Sequence, residues 1–305
     1  MQIEIPVGLV GCGRWGRNIL RDLLSLGCEV AVVARSESTR QVALQMGAGA
    51  VVKRICDLPE VFGLVVATPT STHAQVVEEV LKREVPVFVE KPLTTDWQSC
   101  AALARAASNR LFVMDKWRYH PGVEALAQIA RCQELGPVLG LRTFRVAWGN
   151  PHSDVDVVWI LAPHDLAIAL EILGEIPQPK AAAAEHDGQR ASGLIGILGE
   201  RPWFVFEVSE RYQNWHREIR LHCRDGVAVL DDAYSNQIRI LRGSSQAKTP
   251  QEELRPLPSE MPLWRELRAF VEHLKGGPPP RSSAQEGSIV VDRIAELRRL
   301  AGLKC

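Results

Sequence analysis

The sequence predicts an α/β protein of two domains: an N-terminal doubly wound parallel sheet, then a C-terminal α+β domain built on a large, mostly antiparallel open sheet. Three observations predict it. Over roughly the first 115 residues, short β-rich runs alternate with amphipathic helical patterns, as βαβ units do. A glycine-rich turn, Gly11-Cys12-Gly13-Arg14-Trp15-Gly16, joins the first such run to the first such helix. Beyond it the runs lengthen, alternate polar with apolar residues and are separated by turn signals, the pattern of antiparallel pairing.

In the first half, strands are expected at 3–10, 29–34, 63–67, 85–89 and 110–114, with helices at Arg14–Ser25, 37–46, 72–82 and 95–107. This alternation describes a doubly wound sheet over residues 1–117. Over 118–305, strands are expected at Val138–Trp148, 181–186, 193–198, Trp203–Ser209, 218–223, 227–230 and 237–241. Arg224-Asp225-Gly226 reads as a hairpin turn between two of them. Leu263, Leu267, Phe270 and Leu274 recur at helical spacing until the Gly276-Gly277-Pro278-Pro279-Pro280 run breaks the pattern, and a last helix is expected at 288–300.

Composition narrows the function classes. The chain has 305 residues, 46% hydrophobic and 24% charged, enough for two separate cores. Lysine plus arginine equals aspartate plus glutamate at 36 each, so no long-range field attracts nucleic acid or anionic lipid. No apolar run reaches the roughly 18 residues of a membrane span, and the N-terminus lacks the basic-then-apolar pattern of a signal peptide, so a cytoplasmic location is expected. Seven cysteines without a CxxC pair read as reduced, mostly buried residues, and no metal site is expected.

The glycine-rich turn matches GxGxxG in its proper setting, after an apolar strand and before a helix, which makes the N-terminal sheet a Rossmann dinucleotide-binding domain. Gly11 permits the tight turn, Gly13 lets a pyrophosphate approach the backbone, and Gly16 lets helix and strand pack closely, while the helix N-terminus favours the anion. Arg14 and Trp15 belong to the same candidate cofactor site. An acid is expected about 20 residues on to bind the ribose hydroxyls. Here Ala34-Arg35-Ser36 stands instead, so Arg35 and Ser36 are candidates for binding a 2′-phosphate, and NADP is favoured with NAD as the alternative.

Two further motifs lie in this half. One is Ala67-Thr68-Pro69-Thr70-Ser71-Thr72-His73, a strand end running into a helix, and the other is Glu90-Lys91-Pro92, directly after a strand. A lysine at the carboxyl end of a parallel strand points into the crevice where such sheets bind ligands. Its ammonium there can hydrogen-bond the oxygen that changes charge in hydride transfer, which makes Lys91 the first catalytic candidate; a cis Pro92 would fix its direction. The alternative is a surface lysine that merely ends a strand. In the second half, Trp159-Ile160-Leu161-Ala162-Pro163-His164-Asp165 opens a helix, and His164 is a candidate general acid/base, since histidine as a residue type changes charge near neutral pH.

On these motifs the chain resembles the Gfo/Idh/MocA oxidoreductase family, of the glucose-fructose oxidoreductase and inositol dehydrogenase type, over nearly its whole length. The resemblance implies that Thr68, Pro69, Thr70, His73, Glu90 and Lys91 line the nicotinamide side of the cofactor site. It implies that Lys91 and His164 act on the substrate, and that the Lys116-Trp117-Arg118-Tyr119-His120-Pro121 stretch brings Arg118 or Tyr119 beside it. It also implies hydride transfer between NAD(P) and a sugar, nucleotide-linked sugar or cyclitol, although similar folds also reduce C=N or C=C bonds.

One departure stands out. Members carry an aspartate four residues before the histidine, and here that position is Ile160, which cannot accept a hydrogen bond. Asp154, Asp156 and Asp165 lack the spacing and read as loop or helix-cap acids. The departure keeps open a cofactor-binding regulator without turnover. Gln213-Asn214-Trp215-His216-Arg217 reads as a polar-aromatic loop between strands, either a solvated turn or a loop facing the cleft or another subunit. The open sheet needs one face covered, so a homodimer or homotetramer is expected.

Overall fold

The computed structural model describes residues 5–150, 154–187, 190–243 and 251–303. In chain order its elements are β1 (Ile5–Val10), α1 (Arg14–Ser25), β2 (Cys28–Val33), α2 (Glu37–Gln45), β3 (Ala50–Val52), β4 (Gly63–Val66), α3 (His73–Val80), β5 (Val87–Glu90), α4 (Trp97–Ala106) and β6 (Leu111–Met114). They continue as α5 (Pro121–Arg131), β7 (Val138–Trp148), α6 (Val157–Leu173), β8 (Pro179–Asp187), β9 (Arg190–Leu198), β10 (Trp203–Ser209) and β11 (Arg211–Cys223). The remainder is β12 (Gly226–Leu230), β13 (Gln237–Arg242), β14 (Gln251–Pro256), α7 (Pro262–Leu274) and α8 (Ala284–Leu300). Residues 3 and 4 of the first expected strand, and Cys305, lie outside the described residues.

The chain packs as two units: Met1–Lys116 with Met261–Val291, and Trp117–Glu260 with Asp292–Cys305. The first holds a six-stranded sheet in the order β3-β2-β1-β4-β5-β6, every pair parallel. Its central strands are apolar at nearly every position because helices cover both faces of a parallel sheet. Residues 261–291 were assigned by their position in sequence to the second domain, yet they pack with the first unit. Leu263, Leu267, Phe270 and Val271 form one stripe of α7 and join the core of β1, β2 and α1, with Phe270 stacked on Phe88 at 5.0 Å. The chain after α7 also completes the sheet edge, where the amide of Val113 donates to the carbonyl of Ser282 at 2.8 Å.

The second unit is an eight-stranded sheet in the order β14-β13-β12-β11-β7-β10-β9-β8. Only β10 and β7 run parallel; all other neighbours are antiparallel. The turn at Arg224-Asp225 is the expected hairpin. The expected loop at 213–217 is instead part of β11, where a register shift between Arg211 and His216 against β7 lets a polar-aromatic run stay in the strand.

Four of the described cysteines, Cys12, Cys28, Cys100 and Cys223, are buried, and burial pushes the thiols of Cys28, Cys100 and Cys223 up to about 11. Cys56 and Cys132 are exposed. Among the described residues no helix is long and apolar enough to cross a membrane.

Candidate functional site

In the first unit the glycine turn separates what the fold needs from what a ligand needs. Gly11 has φ +97°, and a Cβ there would stand 2.7 Å from the Ala67 carbonyl oxygen. A Cβ on Gly16 would collide with the Gly11 carbonyl oxygen, so close packing of α1 on β1 requires glycine. Gly13 is different. It caps α1 with no side-chain hydrogen bond, its φ is an ordinary −69°, and a Cβ on it would meet nothing within 4 Å. The open space therefore lies against the N-terminus of α1, whose first turn carries no acid and whose amides favour an anion. These residues fit a dinucleotide pyrophosphate.

Arg14 is exposed beside this space. Trp15 is turned towards the neighbouring strand end, where its Nε1–H donates to the Glu90 carboxylate, and the ammonium of Lys116 lies 4.2 Å over the same indole. Glu266 of α7 completes this group. It is fully buried, and neither carboxyl oxygen has a hydrogen-bond partner among the described residues. Burial and the neighbouring Glu90 and Asp115 carboxylates push its pKa well above the ordinary value, against the pull of Lys116.

Lys91 follows Glu90 and is half-buried, and its peptide bond to Pro92 is cis. His73 is buried between two motifs: its Nδ1 lies 2.8 Å from the Pro92 carbonyl oxygen and its Nε2 3.0 Å from that of Thr68. Burial holds the imidazole below its ordinary pKa, and a neutral ring has one N–H to give to either carbonyl. Thr72 donates to the Thr68 hydroxyl at 2.9 Å or to the Pro69 carbonyl at 2.7 Å. Thr70 is buried and Pro69 exposed. The structure thus brings Thr68, Pro69, His73, Glu90 and Lys91 together, with His73 and Trp15 as ties between the segments.

At the end of β2, Arg35 is exposed and Ser36 caps α2, its hydroxyl accepting from the Thr39 amide at 3.2 Å. Glu37 lies in the first turn of α2 with Arg40 at 3.8 Å.

In the second unit, His164 sits within α6, whose N-cap is Asp156 and whose interior includes Pro163. Asp156 is the helix-cap acid the sequence suggests, and Arg298 binds it at 2.7 Å. Asp165 is neither loop nor cap. It lies fully buried inside α6, and its Oδ2 accepts from Arg145 Nε of β7 at 2.6 Å. Ile160 is buried. The Trp117 ring meets His164 edge-on at 6.5 Å and carries the Arg145 guanidinium at 4.3 Å. Arg118 is held by Glu171 of α6 at 3.0 Å, and Tyr119 is buried. His120 Nδ1 accepts from the Gly122 amide, so its Nε2–H donates to the Ala233 carbonyl at 2.9 Å.

Residues 5–114 match the family described as "Oxidoreductase family, NAD-binding Rossmann fold", GFO_IDH_MocA. Over these residues the chain is similar to the NAD-binding domain of the Gfo/Idh/MocA oxidoreductases. Among curated proteins it is 30% identical over 180 residues to UDP-N-acetylglucosamine 3-dehydrogenase of Acidithiobacillus ferrooxidans, covering 57% of this chain and 56% of that protein. It is 32% identical over 152 residues to inositol 2-dehydrogenase of an Arthrobacter species, covering 46% and 45%. The chain spans about half the length of these relatives.

Two solved structures share the fold over 98% of this chain. One is UDP-N-acetylglucosamine 3-dehydrogenase of Acidithiobacillus ferrooxidans, at 23% identity, TM-score 0.84 and 98% of that chain. The other is levoglucosan dehydrogenase in complex with NADH and levoglucosan, at 14% identity, TM-score 0.86 and 97% of that chain.

Sequence reasoning gave no individual site role to Lys116, Arg145, Arg217 and Glu266. The last three had one signal: each is a charged residue at a position where strand alternation or helix periodicity calls for an apolar one.

Proposed function

We propose that the protein is an NAD(P)-dependent oxidoreductase acting on a carbonyl or secondary alcohol of a sugar, nucleotide-linked sugar or cyclitol. The observation that carries this reading is Gly13, a glycine that neither backbone conformation nor packing requires, at an uncapped helix N-terminus. The nicotinamide, when bound, supplies or accepts the hydride. Gly11, Gly13, Gly16 and Arg14 would hold the pyrophosphate, and Thr68, Pro69 and Glu90 the nicotinamide side. The Lys91 ammonium hydrogen-bonds the substrate oxygen, and His164 exchanges its proton. The relatives, a UDP-N-acetylglucosamine 3-dehydrogenase and an inositol 2-dehydrogenase, support a sugar-like substrate.

The cofactor is NADP(H) in this reading. Arg35 is exposed at the end of β2 and no acid stands there, while Glu37 has Arg40 beside it. Two or more copies associate through the sheet face turned away from α6, where Ile195, Ile197 and Trp148 are exposed. The test is calorimetry with NADPH and NADH, followed by turnover on a sugar and keto-sugar panel. Saturable hydride transfer supports the reading; tight cofactor binding without turnover on any member would favour a regulator.

A further inference from the structure

The face of the second sheet that packs on α6 is apolar along most of β7 and β11. Leu141 and Thr143 of β7 point inward, as do Ile219 and Leu221 of β11. At the next inward position on each strand the pattern breaks, with Arg145 and Arg217. The two are register partners, so their guanidinium groups stand side by side on the face that buries apolar residues. Like charges directly opposite one another destabilise a sheet, and burial adds a desolvation cost.

Among the described residues one carboxylate is within hydrogen-bond range of the pair, and it serves Arg145: Asp165 Oδ2 at 2.6 Å. Nη1 of Arg217 is occupied by the carbonyl oxygens of Val146 at 2.7 Å and His216 at 3.0 Å. Its Nε and Nη2 have no hydrogen-bond partner among the described residues. Burial and the charge of Arg145 push the Arg217 pKa down to about 10, with Asp165, Tyr234 and Asp232 offsetting part of the shift. Aromatic rings frame both cations. Trp215, itself stacked on Tyr234 at 5.8 Å, lies 5.0 Å from the Arg217 guanidinium, while Trp117 joins Arg145 to His164.

We propose that Arg217, backed by Arg145, binds an oxyanion carried by the substrate, so that the substrate is a sugar acid or sugar phosphate rather than a neutral polyol. The inference rests on the oxidoreductase reading for the sugar-like class of the ligand. An open guanidinium edge offers two parallel N–H donors to a carboxylate or phosphate. A bound oxyanion also supplies the charge partner that Arg217 lacks, whereas a neutral analogue leaves Arg217 without one, and that difference is what discriminates.

The experiment titrates the cofactor-loaded protein with D-glucuronate, D-glucose 6-phosphate and D-glucose, and repeats it with Arg217→Gln and Arg217→Lys. At least one anionic sugar should bind about thirtyfold tighter than glucose, the factor expected for a charge-assisted hydrogen bond of roughly 2 kcal/mol. Which of the two it is separates carboxylate from phosphate. Arg217→Gln should bring the ratio close to one, and Arg217→Lys should keep part of it. If Arg217→Gln does not fold, Arg217→Lys and the fall of wild-type anion affinity with ionic strength decide.

Equal affinity for all three sugars, binding of none, or a preference unchanged in folded Arg217→Gln overturns the inference. Turnover separates it from the broader reading. Anion preference without hydride transfer on any sugar would sink the enzyme assignment alone, and turnover of neutral sugars without preference for anions would sink the anion site alone.

Discussion

The indole N–H of Trp15 donates to the carboxylate of Glu90, 75 residues away in the chain. The glycine turn and the strand end that carries Lys91 are thereby tied by side chains. Trp15→Phe keeps a ring beneath the Lys116 ammonium and deletes only the donor. Cofactor affinity by calorimetry should fall about three- to tenfold, roughly 1 kcal/mol for a lost hydrogen bond, with an unchanged circular dichroism spectrum. Unaltered affinity would mean that the tie does not position the cofactor.

Two glycines of one motif should fail in different ways. Gly13→Glu places its side chain in open space, so the melting temperature should stay within about 2 °C while cofactor binding is lost. Gly16→Ala sets a Cβ against the Gly11 carbonyl and should cost about 2 kcal/mol or more of stability by denaturant titration. A Gly13→Glu protein that still binds dinucleotide would remove the basis of the assignment.

Lys91→Ala should lower turnover about a hundredfold or more, because the ammonium's bond to the reacting oxygen strengthens as charge develops there. The effect on cofactor affinity should be smaller. His164→Ala should slow turnover and flatten one limb of the pH–rate profile, and the double variant should be less than additive if both act on one oxygen. Near-wild-type turnover in Lys91→Ala would place the chemistry elsewhere.

Arg35→Ala should reduce the ratio of NADPH to NADH affinity by about tenfold, the loss of one charge-assisted contact. Paired titrations with the two cofactors measure it. An unchanged ratio would leave the NADP preference without support.

Glu266 makes stability depend on pH with a defined sign. Its folded pKa lies well above 4.5, so as pH rises past 4.5 the unfolded chain ionises first and the fold loses stability until the folded value is passed. Glu266→Gln removes that loss. The variant should be more stable than wild type at pH 8, and the gain should shrink towards pH 4.5 by up to about 1.4 kcal/mol per pH unit below the folded value. Thermal melts at a series of pH values test this, and a pH-independent difference would contradict it.

The Rossmann sheet was legible because its signals are local: a glycine turn, apolar runs and helices that follow one another at short range. Elements outside that pattern were missed for identifiable reasons. Ala50–Val52 is three residues long, and Gln251–Pro256 carries charges along an edge strand that buries little, so neither shows an alternation. Pro121–Arg131 begins on a proline within a stretch read for its substrate contacts.

The site divides along the same line. Lys91, Gly13 and His164 announce themselves in short motifs. The pairing of Arg145 with Arg217 exists only once two strands are in register, and Asp165 reads as a loop or helix-cap acid until α6 turns it towards β7. Where α7 packs could not be read from its periodicity, because a stripe of apolar residues states that a helix is buried without saying against what.

That placement of α7 bears on how the polypeptide matures. A ribosome releasing this chain would deliver all six strands of the first sheet long before Leu263, Leu267 and Phe270 exist to close over them. Domains made first usually fold first. This one must wait until residues 261–291 have been made, with Phe88 and the underside of β1 unfinished in the interval. Fragments truncated at the first unit's apparent end, residue 116, would for the same reason be exposed to aggregation and proteolysis, and any quality control that senses bare apolar surface would read the state of the C-terminal segment.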